Sequence, residues 1–379
     1  MTSADGVLVI GESLMDVVSS PSGIVEHSGG SPMNVAVGLA RLGCPVRLLT
    51  QIGADRRGAV IAEYLATAGV PLVPGSVTDG RTSTATVTLD ASGSARYEFL
   101  IDWSLGLVSE LPTSAIVHTG SIAAFLQPGA AQLETLLQDA AARGAIITFD
   151  PNIRPSIIGS KTESLAVVER LGALATVVKV SDEDALWLFG ELTPEGVADR
   201  LLAIGATLAI VTLGASGAVL ATAGDRATVP GRRVAVADTI GAGDSFMSAV
   251  VQRFSALLTS GVAAAALADG TALGASVLMD IGQFAVSCAA ITVSRTGSNP
   301  PNMAEVLAEE RALRGGEVRD RVDETQPAPD RHTEGGECAG GECCANQRER
   351  RLAGTEHDYR PEQHGDGDGD EPGRSRPVE

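Results

Sequence analysis

Short apolar runs that end in polar or glycine residues alternate with helical patterns through most of this chain, and that alternation restricts the fold more than any other feature. Runs at Val7–Ile10, Val46–Gln51, Ala145–Phe149, Thr176–Val180 and Leu208–Thr212 are short and mostly apolar and read as buried strands, covered on both faces. Between them, Met33–Leu42, Gly58–Ala68, Ala130–Ala142, Leu165–Leu174 and Pro194–Ile204 carry helical periodicity. The pattern predicts an α/β protein, a three-layer α/β/α sandwich with a mostly parallel central sheet. With 379 residues, 44% of them hydrophobic, the chain can fill such a core. In folds of this kind ligands collect beyond the carboxyl ends of the strands.

One stretch departs from the alternation. Thr82–Leu89 and Ala95–Ile101 are rich in Thr, Val, Tyr and Phe and are joined by Asp90, Ala91, Ser92 and Gly93, which is hairpin chemistry. With Val17–Glu26 this hairpin can form a small antiparallel flap; it can also be an extra hairpin at the sheet edge.

Residues Ala237–Val251 read as a glycine-rich turn running into an apolar helix. Gly241, Ala242 and Gly243 have little or no side chain, so an anion can approach the N–H groups that a helix start leaves unpaired. A carboxylate at Asp244 would repel a phosphate there unless it accepts a proton from the group attacking that phosphate. The plainer reading is a capped helix with Asp244 complementing its dipole. A second segment, Gly29 to Gly43, reads Gly-Gly-Ser-Pro-Met-Asn-Val-Ala-Val-Gly-Leu-Ala-Arg-Leu-Gly, about 200 residues upstream. Together, in this order, the two segments resemble the paired signatures of the ribokinase-like, or PfkB-type, carbohydrate kinases, with a likeness to fructokinases. The resemblance covers Val7 to about Glu305.

It implies an ATP-dependent sugar kinase with the flap, from about residues 16–30 and 82–103, as a lid over the active site. Asp244 would be the general base and the Gly241–Gly243 turn the anion hole. No Gly-x-x-x-x-Gly-Lys-Ser/Thr loop occurs, which disfavours a P-loop mechanism. Thr212, Gly214 and Gly217, a strand end and tight turn, would contact the nucleotide. Lys179 and Ser181 belong to the segment that resembles the family's Asn-x-x-Glu region but departs from it with Ser181 and Asp184 at the flanking positions; Glu183 and Asp184 would support Mg²⁺ there through water, and Ser181 with Asp184 is equally close to a capping box. Asp238 would serve a monovalent cation, potassium, or cap a loop. Asp16, Gly29, Gly30 and Asn34, the last beyond a Ser31 cap and Pro32, would bind the sugar. Arg154, in Asp-Pro-Asn-Ile-Arg, would project over the same cleft and suits either a hydroxyl or a carboxylate, which keeps 2-keto-3-deoxygluconate beside fructose as acceptor. His118 reads as structural. An open lid edge could pair with a second lid to give a homodimer.

A formal charge of −19 argues against non-specific nucleic-acid binding. The apolar runs read as too short to cross a bilayer, and the start lacks a basic leader. Five cysteines, with Cys44 and Cys288 isolated, do not form a disulfide framework, so a reducing cytoplasm is expected. From about Gly315 to Glu379 the only aromatic residue is Tyr359 amid Glu, Asp, Arg, Gly and Pro, a composition that predicts disorder rather than a second core. Cys338, Cys343 and Cys344 with His332 have poor zinc spacing. The kinase domain is therefore assigned to residues 1–314. A chain ending near Arg314 is expected to keep its melting temperature and sugar-kinase activity, with added zinc making no difference. Loss of stability on truncation, or zinc retained stoichiometrically by the full chain, would make the tail structural.

Overall fold

The computed structural model describes residues 6–20, 23–89, 95–106 and 112–312. Its strands in chain order are β1 (Val7–Ile10), β2 (Leu14–Ser20), β3 (Gly23–Gly29), β4 (Val46–Leu49), β5 (Ile52–Gly53), β6 (Val77–Thr78), β7 (Thr84–Leu89), β8 (Ala95–Leu100), β9 (Ile116–Gly120), β10 (Ile146–Asp150), β11 (Val177–Ser181), β12 (Leu208–Thr212), β13 (Gly217–Ala221) and β14 (Arg226–Pro230). The helices are α1 (Ser31–Arg41), α2 (Arg56–Ala68), α3 (Gly129–Ala142), α4 (Pro155–Ile158), α5 (Lys161–Gly172), α6 (Asp182–Phe189), α7 (Pro194–Ile204), α8 (Ala242–Thr259), α9 (Ala264–Ala268) and α10 (Ala275–Val293), with residues 303–312 also helical.

An eight-stranded sheet runs β14-β13-β12-β11-β10-β9-β1-β4, parallel from β12 to β4 and antiparallel at the β13 and β14 edge. Successive residues of one strand serve opposite layers. Val7 and Val9 join α1, α2, α8 and α10 in one core, while Leu8 and Ile10 join α3, α5, α6 and α7 in the other. This is the expected three-layer sandwich. Several helices begin where local chemistry dictates. Asp55 caps α2 through the Gly58 N–H, Ser160 and Glu163 form a capping box on α5, and Thr193 caps α7 just before Pro194.

The flap is a four-stranded sheet, β3-β2-β7-β8. Val17–Glu26, read as one segment, is two antiparallel strands, and the central pair β2 and β7 is parallel, so the flap is antiparallel only in its outer pairs. The Asp90–Gly93 connection lies outside the described residues, as does the chain from residue 313 with its three cysteines and His332. The lid is fastened at the start of α2. Arg56 and Arg57 pair with Glu26 of β3 at 2.5 and 2.7 Å. Asp55 accepts from the N–H and hydroxyl of Thr82, two residues before β7, at 2.9 and 2.7 Å.

One expectation needs correcting. Helix α10 is long and apolar enough to cross a bilayer by length and composition, a stretch the sequence reading passed over. Most of it is buried within the fold, packed on α8, β13 and β14, which accounts for its apolar character.

Glu12, just after β1, is only 3% exposed, and its Oε2 accepts from the Ala123 N–H at 3.1 Å. Burial pushes its carboxyl from 4.5 up to about 7; hydrogen bonds from the backbone and Ser121 oppose the shift, and the charge of Asp244 adds to it. The folded state thus holds this proton more tightly than the unfolded chain. Its contribution to stability is complete below the unfolded value and is lost as pH rises to about 7, by about 3 kcal/mol in all. Glu12→Gln keeps an acceptor oxygen and carries no charge. Its melting temperature is expected to exceed that of the native chain near pH 8, with the gap closing by about pH 5. Parallel melting curves across that range would refute the assignment.

Candidate active site

Helices α1 and α8 lie side by side. A Cβ on Gly38 would sit 2.5 Å from the Ser248 hydroxyl, so the two backbones approach as only a glycine allows. One turn earlier on each helix, Asn34 Nδ2 donates to Asp244 Oδ2 at 2.8 Å. Both contacts join positions four apart, so the helices run in the same direction and present their N-termini together. Ser31 Oγ donates to the other oxygen, Asp244 Oδ1, at 2.6 Å. The two sequence signatures thus meet at one carboxylate, which is 7% exposed. Ser31 is not the cap expected of it. Gly30, at φ 117°, occupies the N-cap, and Ser31 is the first helical residue.

Helix α8 has no side-chain cap, and its N-cap Gly241 is left-handed at φ 77°. A Cβ there would meet Ser298 at 2.3 Å, so this turn needs glycine. Of the three N–H groups expected in the anion hole, that of Ala242 donates to the Thr239 carbonyl at 3.3 Å. Those of Gly241 and Gly243, with that of Asp244, make no backbone hydrogen bond among the described residues and remain for an anion.

Beneath the turn lies Lys179, 3% exposed, with Nζ 3.2 Å from where a Gly243 Cβ would be. It pairs with Asp150 Oδ2 at 2.9 Å. Burial alone would lower the ammonium, but the charges of Asp150, Asp184 and Asp244 outweigh it and hold Lys179 above the usual lysine range. Asp150 is pushed up by its burial, and its Oδ1 is buried with no hydrogen-bond partner. Asp184 completes a capping box with Ser181 and also accepts from the Ile153 N–H at 2.8 Å. It thereby ties α6 to the loop that carries Asp150, Asn152 in the left-handed region at φ 41°, and Arg154. With both Asp184 oxygens engaged by backbone amides, the capping alternative is realised, while Glu183 is exposed.

Asp16 and His27 are cross-strand partners on β2 and β3. Asp16 reaches solvent yet is crowded by protein, which raises its carboxyl; the nearby charges of His27 and Arg154 pull it down again. Gly29 has no room for a side chain, because a Cβ would lie 2.1 Å from Asp16 Oδ2, and one on Gly30 would lie 2.6 Å from the Glu12 carbonyl. Arg154 donates to the carbonyls of Ile153 and Asn152 in its own loop at 2.9 and 3.3 Å. Asp16 thus has Gly29 and the charge of Arg154 as neighbours, and Gly30 leads into the first turn of α1, where Asn34 meets Asp244.

At the opposite side, Thr212 ends β12 and Gly214 (φ 51°) and Gly217 (φ 103°) shape the turn into β13, with Gly217 pressed against β14. Asp238 accepts from the N–H groups of Ile240 and Gly297 at 3.0 and 2.9 Å, which holds its carboxyl below the usual range and fastens the segment leading to the phosphate turn. His118 is buried against Thr148, its pKa lowered to about 3 by burial, as suits a structural residue. Sequence reasoning missed Glu12, Asp150, His27 and the Ser31 hydroxyl as parts of this site. Only Asp150 carried a local signal, the strand end shared with Arg154.

Residues 4–305 match the pfkB family carbohydrate kinase description. A fructokinase from Rhizobium leguminosarum bv. trifolii is 34% identical over 65% of this chain and 78% of its own. Fructokinase from Xylella fastidiosa, solved with ATP, superposes with a TM-score of 0.70 at 26% identity, covering 82% of this chain and 99% of that one. A double mutant of fructokinase from Vibrio cholerae O395, with fructose, ADP and a potassium ion, gives 0.68 at 27% identity, with coverages of 81% and 99%. With residues 4–305 matched and these fructokinases superposing over most of its length, the chain belongs to the PfkB family of carbohydrate kinases.

Proposed function

We propose that this carbohydrate kinase transfers the γ-phosphoryl group of ATP to D-fructose, giving fructose 6-phosphate. The observation that carries the reading is the junction of Asp244 with the glycine turn of α8 and the first turn of α1, one carboxylate held between an anion site and a polyol site. Asp16, Asn34 and Arg154 bind and orient the sugar, and Asp244 accepts the proton as the acceptor oxygen attacks phosphorus. The N–H groups of Gly241 and Gly243, backed by the buried Lys179 ammonium, stabilise charge on the transferring group. Thr212, Gly214 and Gly217 approach the nucleotide, and Ser181 starts the helix beside it. The lid, fastened at Glu26 and Thr82, excludes water when it closes.

No group of three His, Cys, Asp or Glu able to hold a metal is found among the described residues. Mg²⁺ is commonly held by one or two carboxylates and the substrate's own phosphates. The unpartnered oxygen of Asp150 fits such an ion, with Glu183 reaching it through water, whereas Asp184 is engaged. When bound, Mg²⁺ neutralises charge on the β- and γ-phosphates. Asp238 is the carboxylate beside which a potassium ion would sit. The lid exposes Ile24, Val25, Tyr97 and Leu100, an apolar surface suited to a second lid in a homodimer. The cytoplasm, which supplies ATP, suits the free, buried Cys44 and Cys288.

Steady-state assays with MgATP and fructose, ribose, adenosine or 2-keto-3-deoxygluconate are expected to give the highest kcat/KM for fructose. The keto-acid is the second reading, because among the described residues the exposed Arg154 guanidinium bonds its own loop carbonyls alone and can take a carboxylate. If it wins, and Arg154→Ala removes that activity selectively, the acceptor is a sugar acid. Asp244→Asn is expected to fold and bind ATP while losing about 100-fold or more in turnover. Near-native turnover in the folded variant would remove Asp244 from its role.

A further inference from the structure

Both oxygens of Asp244 are occupied by donors from α1, and the two donors differ in kind. Asn34 offers an amide, but Ser31 offers a primary hydroxyl, the same group that a sugar presents to the base. A carboxylate oxygen that already accepts the Ser31 hydroxyl is not open to a second hydroxyl in the same place until the first has left. The backbone of Ser31 is held in place, while its hydroxyl can leave Asp244 by rotation about χ1. Gly30 is wedged on the Glu12 carbonyl, Pro32 is packed against Gly11, and α1 is locked to α8 by Gly38 on Ser248, so the start of α1 is set relative to Asp244.

We propose that Ser31 is a positioning residue that masks Asp244 until an acceptor hydroxyl displaces it, and so restrains phosphoryl transfer to water; the proposal rests on Asp244 being the base. In an unmasked site a water molecule takes the same oxygen. Its oxygen then bonds to the γ-phosphorus, the bond from phosphorus to the bridging oxygen of ADP breaks, and the water proton passes to Asp244. A sugar replaces Ser31 with an equivalent hydroxyl while adding its contacts to Asp16 and Arg154, whereas water brings no such contacts and competes poorly for the masked base. Lid closure limits access by water, and the Ser31 mask acts before the lid has closed.

The test is Ser31→Ala beside Ser31→Thr, with ATP hydrolysis measured without sugar and phosphorylation measured with it. Removing the hydroxyl is expected to raise the ratio of hydrolysis to sugar phosphorylation about tenfold and to lower the KM for sugar, since nothing need be displaced. Threonine restores the hydroxyl and should restore both values. A loss of kcat with hydrolysis and KM unmoved would overturn the proposal, because Ser31 would then orient the base rather than cover it. Unchanged kinetics, or phosphorylation of Ser31 itself by MgATP, would overturn it too. Thermal melting guards against a folding defect. The combined Ser31→Ala, Asp244→Asn variant separates the two claims: abolished hydrolysis keeps Asp244 as the base, and hydrolysis equal to that of Ser31→Ala removes it.

Discussion

The close approach of α1 to α8 at Gly38 and Ser248 is the contact on which the active site depends. Two helices whose sequences lie far apart become one surface there, and the shared four-residue step from this contact to Asn34 and Asp244 brings their first turns level. Any side chain at position 38 would push the backbones apart and carry Ser31 and Asn34 away from Asp244. Catalytic geometry tolerates little such displacement. A residue buried between helices, with no chemistry of its own, therefore sets how Ser31 and Asn34 meet Asp244.

Charge beneath the site follows from the same arrangement. Asp150, Asp184 and Asp244 converge at the carboxyl ends of the strands, where the fold leaves room for ligands. Lys179 stands among them and makes the cluster tolerable. Its pairing with Asp150 is buried, and removing either partner would strand the other. The ammonium also lies under the glycine turn, so one side chain relieves repulsion between carboxylates and strengthens the attraction for an incoming phosphate. Glu12 follows the opposite course, resolving its burial through a raised pKa.

Much of this was legible in the sequence wherever a local rule governs the outcome. Glycine at 241 is demanded by the backbone of the turn, and Asp244 by its place at the helix start. The inner strands of the main sheet are readable because burial on both faces leaves them mostly apolar. Ser31 shows where local rules stop: serine before Pro-Met-Asn looks like a cap, but Gly30 takes that position and the hydroxyl turns to a partner 213 residues away. Asp184 carried two readings that only its bond to Ile153 separates. The parallel pairing of β2 with β7 is equally non-local, since α1, β4, β5, α2 and β6 lie between the two strands in the chain.

The order of elements along the chain also bears on how the protein is made. Synthesis delivers α1 early, yet the helix that covers its apolar face, α8, is translated about 200 residues later. Until then Met33, Val35 and Leu39 lack part of the packing they have in the finished fold. Helix α10 has the opposite fate, because α8, β13 and β14 all precede it and a greasy segment of 19 residues meets its cover as soon as it emerges. The ribosome-bound chain is therefore most vulnerable to aggregation through its N-terminal half. The pairing of Ser31 and Asn34 with Asp244 likewise waits until α8 has been made.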